Sequence, residues 1–310
     1  MKKTILILLL LVLILLSSEL FLRQYFGFCD TVLMKEDPDF EYIAQPNQHR
    51  FRFRNNVNYN SKSMRSDEVD TKANIILGFG DSIINGGVQT DQDSLATTIL
   101  SDTLSKIADK KVQFLNISAG SWGPDNCYAY LTKNGNFGAK SIFLFVSSHD
   151  AYDNMNFEKI VGINESFPNK QYQFAVVELF DRYIIPRIKK AFRQNLAFQD
   201  NLGINKKKEY STFNSGFQSF LIYSKSNNIP LTLFLHAELA EVKARHYNEQ
   251  GKEIIQFAHQ NNIPIILDLE RGLDVEDFRD DIHVNANGQK KIASAVLYYM
   301  KNSTSGKKRI

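Results

Sequence analysis

A chain of 310 residues with 43% apolar and 23% charged side chains has the composition of a globular protein with one large core or two small ones. A net charge of +3, without a basic stripe interleaved with aromatics, speaks against a nucleic-acid partner. The short basic runs at 206–208 and 307–309 read as solvated surface.

The first element is apolar. After Met1-Lys2-Lys3, residues 5–16 are uninterrupted Ile, Leu and Val, and the apolar character resumes after Ser17-Ser18-Glu19 as far as Leu22. Residues 4–22 are long enough to span a bilayer as a helix, and the two lysines place the N-terminus inside. A cleaved signal peptide is the competing reading. No Ala-x-Ala site follows, so the expectation is a retained anchor over 1–23 with the remainder extracytoplasmic. Residues 24–72 form an extended lead-in, in which "FRFRNNVNYN" alternates like one half-buried strand. Cys29 and Cys127 are the two cysteines. One disulfide is conceivable, two free thiols are expected, and no Cys or His spacing matches a metal site.

Short apolar runs at 73–79, 112–117, 141–146, 230–236 and 263–269 read as strands covered on both faces. Helical patterns at 93–107, 126–134, 240–260 and 286–300 lie between and after them. Strand alternating with helix predicts a parallel sheet with helices on both sides, an α/β fold. This places a domain at 73–301, with a helical insertion at 151–228 and a basic tail at 302–310. The insertion, with helices near 173–195 and 212–226, is read either as a cap over the strand ends or as extra cover for one sheet face.

In such a sheet the informative residues stand just past the strands. They are Gly80-Asp81-Ser82, then "NISAGSWGPDN" at 116–126, "SSHDAYDN" at 147–154, His236, and "RDDIHVNANG" at 279–288. A dinucleotide fingerprint fails at Ile83, where a third glycine is needed, and no Lys-Ser/Thr follows for a P-loop. A serine nucleophile needs a base, and the base an orienting carboxylate. Asp280 and His283 stand three apart, so one turn brings both to the same edge. Ser82 is the expected nucleophile, His283 the base and Asp280 its orienter, with Asp281 the rival. His236 reads as structural or substrate-lining, His49, His246 and His259 as surface, and Trp122 as a sugar-stacking or packed rim residue.

These blocks, in this order, resemble the Ser–Gly–Asn–His, or GDSL-type, serine hydrolases. Gly80-Asp81-Ser82-Ile83 is similar to the family's first block and Asp280-Asp281-Ile282-His283 to its last. The resemblance implies a three-layer α/β/α domain with a mostly parallel, five-stranded flavodoxin-like sheet (the SGNH hydrolase fold), here behind an N-terminal transmembrane helix. It implies an oxyanion hole from the N–H groups of Ser82 and of Gly120 or Ser121. His149 stands where the family has a donor asparagine. The lead-in is similar to that of membrane-anchored members associated with surface polysaccharides. The implied activity is an exported esterase acting through an acyl-serine on an O-acetylated glycan or other small ester, with no metal or cofactor. A glycan O-acetyltransferase using the same triad, or a non-catalytic glycan-binding or assembly protein, are the alternatives. No protein partner is implied.

Overall fold

The structure, a computed structural model, describes residues 2–189 and 212–306. Of the basic tail expected at 302–310, residues 302–306 continue the closing helix and 307–310 lie outside the described residues. So do the middle of the insertion, 190–211, and the end of the helix expected at 173–195.

The fold is a three-layer α/β/α sandwich. Strands β5 (Asn74–Gly80), β6 (Val112–Ser118), β7 (Ser141–Ser147), β8 (Leu231–His236) and β9 (Ile265–Leu267) form one parallel sheet in the order β6-β5-β7-β8-β9. Their Ile, Leu, Val and Phe are almost wholly buried, as strands packed on both faces must be. One face carries α3 (Ala96–Ala108) and the closing helix α9 (Ala286–Gly306). The other carries α4 (Pro124–Asn134), α6 (Ser215–Asn227) and α8 (Glu249–Gln260), where Phe217 of α6 meets Phe257 of α8 at 5.7 Å. The chain leaves β5 for β6 on one side and returns from β6 to β7 on the other. The carboxyl end of β5 is therefore at the topological switch point, where open α/β sheets bind ligands.

Local rules explain two departures from the expected elements. The lead-in's alternating segment is a hairpin, β3 (Gln48–Arg52) paired with β4 (Asn55–Tyr59), rather than one strand. Phe53 and Arg54 turn it with φ of 49° and 67°, the two left-handed residues a tight hairpin turn requires. Neither residue type announces such a turn. A second hairpin, β1 (Met34–Asp37) with β2 (Glu41–Ala44), precedes it. The helix expected at 240–260 is two helices, α7 (Leu239–Ala244) and α8. Arg245 ends α7 with φ 58°, and the Asn248 side chain accepts from Gly251 N to start α8. Tyr247, between them, is buried with its hydroxyl donating to Leu235 O at 3.0 Å.

The N-terminal helix α1 (Lys2–Phe26) is exposed along its apolar length and is long and apolar enough to cross a membrane. It runs three residues past the expected anchor boundary, and its last turns pack on helix α5 (Ala175–Leu179) of the insertion. Cys29 and Cys127 are both free, Cys127 buried on α4.

Candidate active site

Strand β5 ends in Gly80, where an added Cβ would lie 2.9 Å from Phe145 O on β7. Only glycine lets β5 finish this close to its neighbour. The buried Asp81 follows as N-cap of a one-turn helix, α2 (Ser82–Asn85), accepting from Ile83 N at 2.9 Å. So short a helix cannot satisfy its own carbonyls, and buried side chains do it instead. Gln289 donates to Ile83 O and Asn116 to Ile84 O, each at 2.6 Å. The Asn85 amide reaches back to Ser118 O and Oγ at the end of β6, both at 3.1 Å. Ser82 is thus held on a turn that is fastened on three sides.

The loop before α9 brings the partners. It closes with Arg279 N donating to His283 O at 2.8 Å and a bridge between Phe278 and Val284. Within it Asp280 Oδ1 accepts from Ile282 N (3.0 Å) and His283 N (2.8 Å), and Asp280 Oδ2 lies 2.8 Å from His283 Nδ1. Partial burial raises the Asp280 carboxyl, but these N–H groups and the His283 ring outweigh it and leave its pKa below the usual value. An ionised carboxylate only accepts, so His283 Nδ1 carries the proton and Nε2 presents its lone pair. That nitrogen is 2.9 Å from Ser82 Oγ. Ser82, His283 and Asp280 form one hydrogen-bonded chain; the rival Asp281 contributes its backbone carbonyl to Leu239 N.

A second histidine explains the loop's position. His236, fully buried at the end of β8, puts Nδ1 2.5 Å from Asp268 Oδ2 and Nε2 3.0 Å from Ile282 O, and its ring stacks on Phe278. Both partners are acceptors, so both ring nitrogens donate. Burial lowers its pKa, and the Asp268 charge together with these bonds reverses that to a net rise. His236 is structural, gripping the residue before His283.

His149 lies beyond β7 in the wall of the Ser82 cavity. Its Nδ1 is 3.0 Å from Glu238 Oε1 and its Nε2 3.6 Å from Asp150 Oδ1. Burial lowers the imidazole pKa, but Asp150, Glu238 and Asp81 together raise it to about 10. Glu238 is correspondingly held low, chiefly by its hydrogen bond to His149. Burial pushes the Asp150 carboxyl up, against the opposing charge of His149. The raised His149 pKa favours the protonated ring at neutral pH, with Glu238 as its hydrogen-bonded counter-charge. The ligand atoms of Asp81, His149 and Asp150 lie within 4.8 Å of one another.

The backbone N–H groups of Ser82, Gly120 and Ser121 have no hydrogen-bond partner among the described residues. Gly120 has open space on its Cα and Ser121 sits at φ 58°. Tyr42 of the lead-in fixes this loop, its hydroxyl donating to Gly120 O at 2.9 Å and its carbonyl accepting from Trp122 Nε1 at 2.9 Å. Trp122 is buried, a core residue rather than a rim or stacking one. The cavity is about 650 Å³. The lead-in contributes Val32 and Tyr59 to its wall, the insertion Asn164, Phe167 and Arg182. The described part of the insertion therefore borders the site. Arg279 also lines it, with Nε and Nη1 buried and unpartnered among the described residues. His49, His246 and His259 are exposed.

Sequence reasoning missed Glu238, Asp268 and the Gln289 and Asn116 staples. Glu238 follows a strand end by two residues, the one signal that could have marked it.

No family model and no curated protein matches the chain. Among solved structures it is similar to a lipolytic protein of the G-D-S-L family from Veillonella parvula, at 16% identity over 73% of this chain and 97% of that one, TM-score 0.39. An acetyl xylan esterase from Geobacillus stearothermophilus matches at 13% identity over 74% and 96%, TM-score 0.42. The psychrotrophic esterase EstA from Pseudoalteromonas matches at 13% over 75% and 99%, TM-score 0.42. Likeness at this level carries no argument about the reaction, which rests on the geometry.

Proposed function

We propose that the protein is a membrane-anchored serine esterase that hydrolyses an acyl ester through an acyl-serine. The observation that carries this is the chain from Asp280 through His283 to Ser82 Oγ, 2.8 Å and 2.9 Å, at the switch point of the sheet. Ser82 Oγ attacks the ester carbonyl as His283 Nε2 takes its proton, and Asp280 stabilises the imidazolium that forms. The carbonyl oxygen, now anionic, is received by the unpartnered N–H groups of Ser82 and of Gly120 or Ser121, with His149 as a charged donor. His283 returns the proton to the departing alcohol. A water then attacks the acyl-serine by the same route, and Ser82 is released.

The substrate we infer is an O-acylated, in particular O-acetylated, extracytoplasmic glycan. A wide cavity walled by Asn, Ser, Gln and Arg side chains alongside Val32 and Phe167 suits a sugar, with polar hydroxyls and apolar ring faces. The hydrogen-bonded chain from Asp280 to Ser82 Oγ favours a working site over a binding-only one, since a binding protein has no use for a base at the serine. The test is release of acetate from an acetylated oligosaccharide by the full chain and by Ser82→Ala. Hydrolysis by the first and none by the second is expected. Equal rates would overturn the reading, and transfer of acetate to added sugar without release would make the protein a transferase.

A further inference from the structure

The last turns of α1 and the helix beginning at Ala175 are built into each other. Glu19 accepts from Ala175 N at 2.8 Å and Val176 N at 3.0 Å, capping that helix from within α1. Arg23 ion-pairs with Glu19 at 2.7 Å and donates to Gln173 O. Leu22 packs with Phe28 and Ala175. On its inner side the same helix buries Glu178 completely, with Arg52 of β3 at 2.5 Å and Cys29 N at 2.6 Å. The Ser17-Ser18-Glu19 break in the apolar run thus has a structural use: it supplies the cap of a second helix.

The helix continues from Ala175–Leu179 through a π turn, Phe180–Ile184, to residue 189. Its outer side is apolar and exposed: Phe174 (59%), Val177 (51%), Phe180, Ile185 and Ile188 (49%). Steps of three residues keep the first three on one face, and the wider π turn accommodates the step of five to Ile185. Arg187 and Lys189 are exposed on this helix. Single exposed apolar residues are ordinary, but a contiguous stripe flanked by basic residues marks a surface built for a partner. Phe21 and Tyr25 are likewise exposed on the last turns of α1, the helix on which this one packs.

We propose that the helix from Ala175 to residue 189 is seated in the interface of the bilayer that α1 spans, its apolar stripe toward the acyl chains and its basic residues toward lipid phosphates. This rests on reading α1 as a membrane anchor. The level is set by Glu19, whose charge is held at the helix start instead of among lipid tails. Arg182, on the same helix, lines the Ser82 cavity, so the seat fixes the cavity's height above the membrane.

The experiment uses the full chain carrying Cys29→Ser, Cys127 being buried, in vesicles of phosphatidylcholine and phosphatidylglycerol. An environment-sensitive fluorophore is attached at Val177→Cys, Ile188→Cys, Leu9→Cys or, on an exposed site of α3, Ile107→Cys. Nitroxide lipids labelled near the headgroup should quench positions 177 and 188 several-fold more than 107, and deep-labelled lipids should quench position 9. Quenching at 9 with 177 and 188 no different from 107 would overturn the seat and leave the anchor standing. No quenching at 9 would remove the anchor, and the seat with it.

Discussion

An asparagine amide always offers an N–H, whereas a histidine does so from a given nitrogen only when that nitrogen is protonated. At His149 the Glu238 carboxylate, 3.0 Å from Nδ1, favours the protonated ring, and the proposed donor role for the ring rests on that proton. His149→Ala is therefore expected to lower kcat by roughly a hundredfold with little change in KM, as loss of one oxyanion donor does, and His149→Asn to restore much of the rate. Full activity in His149→Ala would leave the oxyanion to backbone N–H groups alone. Glu238→Gln tests the charge itself. The imidazolium exists below its pKa of about 10 and is lost as pH rises through it, so removing a carboxylate should bring the alkaline fall in kcat to lower pH. Superimposable pH profiles for wild type and Glu238→Gln would contradict this. Ser82, Asp280 and His283 were legible because a strand end and a three-residue spacing reveal them. Glu238 was not, because it stands 89 residues from His149 and only the β7–β8 neighbourhood brings them together.

Among the elements, the five central strands could be read from runs of Ile, Leu, Val and Phe, since burial on both faces leaves a continuous apolar signature. The lead-in could not. Phe53-Arg54 turns a hairpin without a glycine or asparagine, and pairing in register decided what alternation alone left open. Arg245 ends a helix in the same silent way. The tie between β3 and α5 is also invisible locally: Arg52 and Glu178, both fully buried and 126 residues apart, face each other at 2.5 Å. Removing one member of such a pair strands the other charge in the interior. Glu178→Ala should cost about 3–5 kcal/mol of stability, read as a lower denaturant midpoint in detergent. An unchanged midpoint would mean that the guanidinium, stacked over Phe28 and Phe53 at 4.6 Å and 4.7 Å, is held well enough without its partner.

On the scale of the whole molecule, the lead-in, insertion and sheet meet around one cavity, and the boundary between α1 and the domain is not where apolar character stops. Glu19, Leu22 and Arg23 belong to the folded body as much as to the apolar helix. A chain begun at Ser17 should melt a few degrees above one begun at Gln24, which loses a helix cap and a packed leucine; equal midpoints would detach α1 from the domain. Whether Ser82 is an activated nucleophile is decided by treating the full chain with a fluorophosphonate and mapping the adduct by mass spectrometry. One phosphonylated residue is expected, Ser82, with labelling abolished in Ser82→Ala and greatly slowed in His283→Ala, both variants remaining folded. A folded wild-type chain that takes up no label, or one labelled equally well after Ser82→Ala, would contradict that role.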